Sequence, residues 1–176
     1  SYLVVSNHIS WLDIPVIFSL KPITFVSASD VKTWPIIGML ARISGAIFID
    51  RNHKSNLPEV IQAMNYHFKN KKQSVCIFPE GITSNGYQVL PFKSNLFQSS
   101  IDANKSILPI CLRYEEHHHY SDKVAFIGDM SLVDSIIKIK KENHITAILE
   151  VLQPIKPRGN RIEIASYTHE IVQQNL

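Results

Sequence analysis

The sequence predicts one α/β domain, a single layered unit with a largely parallel central sheet of about seven strands flanked by helices. Two patterns point to it. Short apolar runs alternate with helix-like stretches through the first 112 residues, an order that builds strand–helix–strand units around a parallel sheet. The chain has 176 residues and is 45% hydrophobic, enough for one substantial core. No repeat, low-complexity tract or linker interrupts it, so residues 1–176 are read as one domain.

The elements follow in order. Tyr2-Leu3-Val4-Val5 is a short apolar run of the buried-strand kind. Asp13 then stands near the start of a helix that tolerates Pro15 in its first turn. Ile23 to Ser27 is a second strand, and Asp30 is placed to cap the apolar stretch Trp34 to Leu40. That stretch reads either as a core helix or as a lipid-facing patch that lines an acyl chain. Gly45 to Ile49 is a third strand. Ser55 or Asn56 caps an amphipathic helix with Leu57, Val60, Ile61, Met64 and Phe68 on one face and Lys69, Lys71 and Lys72 at its end. Ser74 to Phe78 is a fourth strand, followed by a polar loop with Asn85-Gly86. A helix is expected over 93–103, a fifth strand over 107–112, further strands over 124–127 and 145–151, and helices over 132–141 and 161–174.

Composition narrows the function. A formal net charge of only +3 gives no reason to expect nucleic acid as a partner; it suits an anionic substrate or a membrane surface without selecting either. Cys76 and Cys111 lie in apolar runs and read as buried free thiols of a cytosolic protein, with no Cys-x-x-Cys spacing for zinc or redox work. The run His117-His118-His119 reads as a solvated loop, so no metal site is expected. No segment has the roughly 18 uninterrupted apolar residues of a membrane span.

Chemistry gathers where strands end. His8 and Asp13 are five residues apart, which on one helix would turn them about 140° from each other. They meet only if the chain bends between them, as a strand–turn–helix junction does. A neutral imidazole can then take a proton from a hydroxyl while the carboxylate fixes its tautomer. Alone, the spacing fits a strand-end histidine equally well.

Three further stretches change its weight. Asn7-His8-Ile9-Ser10-Trp11-Leu12-Asp13 is followed by Gly45-Ala46-Ile47-Phe48-Ile49-Asp50-Arg51, then Phe78-Pro79-Glu80-Gly81-Ile82-Thr83-Ser84, then Ile107-Leu108-Pro109-Ile110. In that order they resemble the motifs of the glycerolipid acyltransferase family, the 1-acylglycerol-3-phosphate acyltransferase (PlsC-like) group: N-H-x-x-x-x-D, G-x-I-F-I-D-R, F-P-E-G and a weaker proline-containing strand. Two departures stand out. Ile82 occupies the place of a frequent threonine, and Ser27-Ala28-Ser29 lacks a frequent lysine, with Lys32 displaced.

The resemblance implies a reaction. His8 is the general base on a lysolipid hydroxyl and Asp13 orients it. The acceptor oxygen attacks the thioester of acyl-CoA or acyl-carrier protein directly, so Ser10 is no nucleophile and no cofactor is needed beyond that co-substrate. The most favoured acceptor is 1-acylglycerol-3-phosphate, giving phosphatidic acid; the same chemistry on another lysolipid, such as a lyso-ornithine lipid, is the close alternative. Asn7, Arg51, Glu80, Gly81, Thr83 and Pro109 carry the substrate-binding roles. Arg51 reads as a phosphate clamp or as the ion-pair partner of Asp50 or Glu80. Glu80 either holds Arg51 or bonds an acceptor hydroxyl, and Gly81 lets backbone approach the ligand. Pro109 shapes the donor side or is an edge-strand proline. Lys93 reads as a phosphate contact or a solvated helix start. The expected partners are the acyl thioester, the lysophospholipid and a membrane surface, with acyl-carrier protein as one form of donor. The expected location is the cytoplasmic face of a membrane, with docking segments preceding Ser1. A thioesterase or lipid hydrolase using Ser10 or Ser84 is the competing class, weakened by the lack of a Gly-x-Ser-x-Gly elbow. A lipid-binding module without catalysis is the third.

Overall fold

A computed structural model describes residues 1–34, 37–43, 45–50 and 56–176, with backbone alone at 37, 40 and 43. Seven strands form one sheet: β1 (Leu3–Ser6), β2 (Thr24–Ala28), β3 (Ile47–Ile49), β4 (Val75–Ile77), β5 (Ile107–Glu116), β6 (His119–Tyr120) and β7 (Thr146–Val151). The order is β3-β2-β4-β1-β5-β6, with β7 also on β5. The first five strands run parallel, and β6 and β7 add antiparallel to β5. The helices are α1 (Asp13–Leu20), α2 (Ile37–Ile43), α3 (Leu57–Tyr66), α4 (Gln98–Asp102), α5 (Leu132–Lys140) and α6 (Arg161–Gln174).

Strand alternation builds two cores, because successive side chains leave opposite faces of a sheet. Leu3, Val5, Val75, Ile77 and Ile107 pack on one face against Val60, Met64 and Phe68 near α3 and Ile164 and Ala165 of α6. Val4, Cys76, Phe25 and Ile110 pack on the other against Ile17 of α1. The parallel strands therefore share one carboxyl-terminal rim. The segments after β1 and β4 meet there, with Asp50 after β3 beside them.

Several boundaries differ from expectation. The strand expected over 124–127 does not form. Val124 and Ala125 are buried in a third core with Ile9, Leu112 and Tyr114, and Phe126 N–H bonds the Ile9 carbonyl at 3.0 Å. The apolar run is there for burial, which periodicity alone does not distinguish from strand. Instead β5 continues to Glu116 and turns through His117 and His118, at φ 50° and 66°, into β6. Two positive φ values suit a tight hairpin, but histidine is not the residue that advertises one. The helix expected over 93–103 is a 3₁₀ turn, Asn95–Phe97, running into α4, and Asn104 at φ 48° follows its end. The helix after Asn56 ends in a π-helical turn, His67–Lys71, stopped by Lys72 at φ 51°. Pro109 is not on an edge: β5 has β1 on one side and β7 on the other. Both cysteines are free and buried.

Candidate active site

The turn after β1 brings His8 onto Asp13 as the bend required. His8 Nδ1 lies 2.7 Å from Asp13 Oδ2. Asp13 is fully buried and accepts three further hydrogen bonds: from Ile9 N–H at 2.7 Å, Ser10 N–H at 3.0 Å and the Tyr114 hydroxyl at 2.8 Å. Four donors converge on one carboxylate at the first residue of α1, where the helix end also favours negative charge. A carboxylate only accepts, so Nδ1 carries the proton and Nε2 presents its lone pair. Among the described residues Nε2 has no hydrogen-bond partner. Burial and the neighbouring Asp13 charge push the Tyr114 hydroxyl far above the ordinary tyrosine range, so it stays a donor.

The F-P-E-G segment holds the histidine from behind. His8 N–H donates to Glu80 Oε1 at 2.8 Å, and Ser84 N–H donates to the His8 carbonyl at 2.9 Å. The Phe78 ring stacks on the imidazole at 4.0 Å and 13°. Glu80 Oε2 accepts Leu90 N–H at 3.1 Å. Burial pushes the Glu80 carboxyl up to about 7, with the two backbone donors pulling the other way. Backbone, ring plane and tautomer of His8 are thus each set by a separate contact.

Two cavities flank this histidine. One, of about 370 Å³, is lined by His8 and by Trp11, Ile14, Trp34, Ile82 and Phe126 among others. Its wall is tied together by Trp11 Nε1–H donating to Ser135 Oγ at 3.0 Å, by the Trp34 edge on Phe126 at 5.5 Å, and by the Thr83 hydroxyl donating to the Phe126 carbonyl. The other, of about 310 Å³, includes Phe78, Gly81, Asp50 and Lys93 in its walls. Ala28 borders both, and the His8–Phe78 stack stands between them.

The remaining sequence candidates fall as follows. Asn7 pairs with Leu112 through both ends of its amide, Nδ2 to O and Oδ1 to N–H, each at 2.8 Å. It extends the β1–β5 ladder by one rung and lines neither cavity. Gly81 lines the second cavity at φ +79°. Thr83 lines the first. Pro109 is buried in β5 opposite Val5, its carbonyl accepting Leu152 N–H at 3.0 Å. Arg51 lies outside the described residues. Lys32 sits over the Phe48 ring at 4.5 Å. Ser10 is fully buried, and its Oγ faces Leu12 N–H at 3.4 Å. Ser84 Oγ accepts Gly86 N–H at 3.1 Å. Neither hydroxyl bonds the His8 ring. Tyr114 was missed because the fifth strand was expected to stop at Leu112. Its position in the alternating pattern was the available signal.

Fold and site define a class: a largely parallel α/β domain with a histidine at the strand ends, backed by a buried aspartate and, among the described residues, without a seryl hydroxyl on the imidazole. The family described as Acyltransferase matches residues 1–113, and this chain belongs to it. The lyso-ornithine lipid O-acyltransferase of Pseudomonas aeruginosa is 32% identical over 174 residues, covering 98% of this chain and 66% of that protein. The 1-acyl-sn-glycerol-3-phosphate acyltransferase of Neisseria gonorrhoeae is 39% identical over 112 residues, covering 64% of this chain and 44% of that protein. The crystal structure of the 1-acyl-sn-glycerophosphate acyltransferase PlsC from Thermotoga maritima shares the fold, with a TM-score of 0.68 at 21% identity, over 99% of this chain and 64% of that one. The chain thus spans just under two thirds, or less, of the length of these relatives.

Proposed function

We propose that this protein moves a fatty acyl group from a thioester donor to the free hydroxyl of a lysolipid. His8 Nε2 takes the hydroxyl proton as the oxygen attacks the thioester carbonyl. The carbon–sulfur bond then breaks, the ester forms, and the leaving thiolate receives the proton from the imidazolium. Asp13 stabilises that imidazolium while staying ionised among its four donors. No acyl-enzyme arises, because the nucleophile is the acceptor itself. A base positioned in this way contributes about 10²–10⁴ in rate. The observation that carries the reading is the 2.7 Å His8–Asp13 bond, with Nε2 unbonded among the described residues and the imidazole in the wall of a largely apolar cavity.

The relatives support a lysolipid as the acceptor. Those named for 1-acyl-sn-glycerol-3-phosphate support phosphatidic acid as product and those named for lyso-ornithine lipid support that lipid as acceptor; each group includes a protein matched over 98% of this chain. Both acceptors are lysolipids with a hydroxyl and an anionic group in the head, a phosphate in one and, in the other, an ornithine carboxylate accompanied by an ammonium. Arg51 and Gly81 belong to this reading as acceptor-binding positions. Acyl-CoA and acyl-carrier protein both fit as donor, and either places the reaction at the cytoplasmic face of a membrane. No helix among the described residues is long and apolar enough to cross one. The test is incubation with a panel of lysolipids and both donors, with the product identified by mass. Thiol release independent of added lysolipid would favour the thioesterase reading instead.

A further inference from the structure

α5 turns apolar residues outward. Ser131 caps it, its Oγ accepting Asp134 N–H at 3.1 Å, and the helix runs Leu132–Lys140. Val133, Ile136 and Ile137 fall within one stripe of that helix, yet they are 64%, 41% and 50% exposed. The opposite side is the packed one. Ser135 is buried there, its Oγ accepting Trp11 Nε1–H at 3.0 Å, and Ile139 packs on the core of Ile9, Leu112 and Tyr114. The outward stripe is therefore unpartnered among the described residues. Lys140 extends it by another turn, and Lys141 follows. Neither ammonium has a partner among the described residues, whereas Lys123 is held by Glu116 and Glu142. The one acidic residue of the helix, Asp134, is met by the Ser131 hydroxyl.

This helix stands beside the His8 cavity. Trp11, which Ser135 holds, lines that cavity with His8, Ile82 and Phe126. Ile82 is 58% exposed, and Ile127, next to Phe126, is 43% exposed, so apolar surface is presented at the cavity as well as on α5. An aliphatic stripe ending in unpaired lysines has the chemistry of an interfacial helix: the side chains enter the acyl layer and the ammonium groups meet lipid phosphates. A second copy on the same face fits less well, because a twofold contact sets the same patch against itself and brings lysines toward lysines. We propose that α5 docks on an anionic lipid surface through Val133, Ile136, Ile137, Lys140 and Lys141, and that the Trp11–Ser135 bond keeps the His8 cavity at that surface. Docking was expected of segments preceding Ser1; α5 lies in the later part of the chain. The proposal rests on the acyl-transfer reading only in drawing the acceptor from lipid, and the docking itself needs no turnover.

The test is co-sedimentation with vesicles of phosphatidylcholine, with and without phosphatidylglycerol. It compares wild type, Ile136→Ser with Ile137→Ser, Lys140→Gln with Lys141→Gln, and the control Ile162→Ser, an exposed residue at the start of α6. Removing two aliphatic side chains from the acyl layer predicts a fall in partition of about 10- to 100-fold. The lysine pair predicts a fall of about 10- to 30-fold on vesicles with phosphatidylglycerol and little change without it. Ile162→Ser binds as wild type does. The isoleucine and lysine variants keep their turnover of a short-chain lysolipid dissolved as monomers and lose rate on lysolipid embedded in vesicles. A thermal melt of each variant separates these effects from misfolding. Equal partition of all four proteins would overturn the docking assignment. So would a wild-type dimer in lipid-free solution that the isoleucine pair breaks while vesicle binding persists, since a second copy then covers the face. Vesicle binding by a wild type that acylates no lysolipid would count against the acyl-transfer reading and support the docking, so the two failures are distinguishable.

Discussion

Tyr114→Phe removes one oxygen and little else. The hydroxyl donates to Asp13 Oδ1 at 2.8 Å in a site where both residues are almost wholly buried. A hydrogen bond to a buried charge contributes about 1.5–3 kcal/mol, so the variant should lose stability of that order. For a domain of this size, about 2 kcal/mol corresponds to a fall in Tm of about 4–8 °C. The kinetic effect has a definite direction. With one donor gone, the Asp13 carboxylate is held less firmly, and so is the imidazole that it orients. Looser placement of the base lowers kcat by about tenfold while acceptor KM stays near the wild-type value. The assay is thiol release with saturating donor and varied acceptor, alongside a thermal melt. An unchanged melt and a wild-type kcat would refute the claim that Tyr114 acts on the base through Asp13.

Other outcomes follow from the same contacts. Glu80→Gln keeps the shape but turns an amide N–H₂ toward the His8 or the Leu90 N–H; it should lower stability by about 1–3 kcal/mol and kcat by about 10- to 100-fold, read by melt and by turnover. Glu80 also sets a pH window for stability. Its folded carboxyl titrates at about 7, above the 4.5 ordinary for a glutamate, so between those values the folded state holds the extra proton and stability falls as pH rises. The loss is on the order of 3 kcal/mol, and urea midpoints across that window should show the slope in wild type and lack it in Glu80→Gln. Gly86→Ala should destabilise by about 1–3 kcal/mol, because the residue has φ +78° and a Cβ would meet the Tyr120 hydroxyl and Ile9 side chain. Its melt, compared with that of Gly128→Ala, where φ is +66° and the space is open, separates crowding from backbone strain.

How much of this was legible in the sequence differs by residue. The His8–Asp13 pairing could be read because the strand–turn–helix junction supplies the bend that its spacing needs and three further motif stretches stand with it. The parallel order of the first five strands followed from their alternation with helices. Glu80 was legible as a functional letter of a motif, but not in its contacts: both oxygens go to backbone N–H groups 72 and 10 residues away, and backbone donors leave no trace in side-chain patterns. Asn7 was given a substrate-binding role as the first letter of the N-H-x-x-x-x-D motif. Its amide completes the ladder to Leu112, a pairing that no motif letter encodes. Tyr114 and Phe126 reach the site from 101 and 118 positions beyond Asp13 and His8, where only the fold brings them in. Val124 and Ala125 show the converse, a strand-like run that serves as core without pairing.

The central claim is that one imidazole deprotonates the acceptor. The most direct measurement is acyl transfer to a lysolipid by His8→Ala, with acceptor KM and the thermal melt determined beside kcat. A drop in kcat of about 10²–10⁴ with KM and fold preserved is the expected result. A variant that transfers at the wild-type rate would contradict the mechanism.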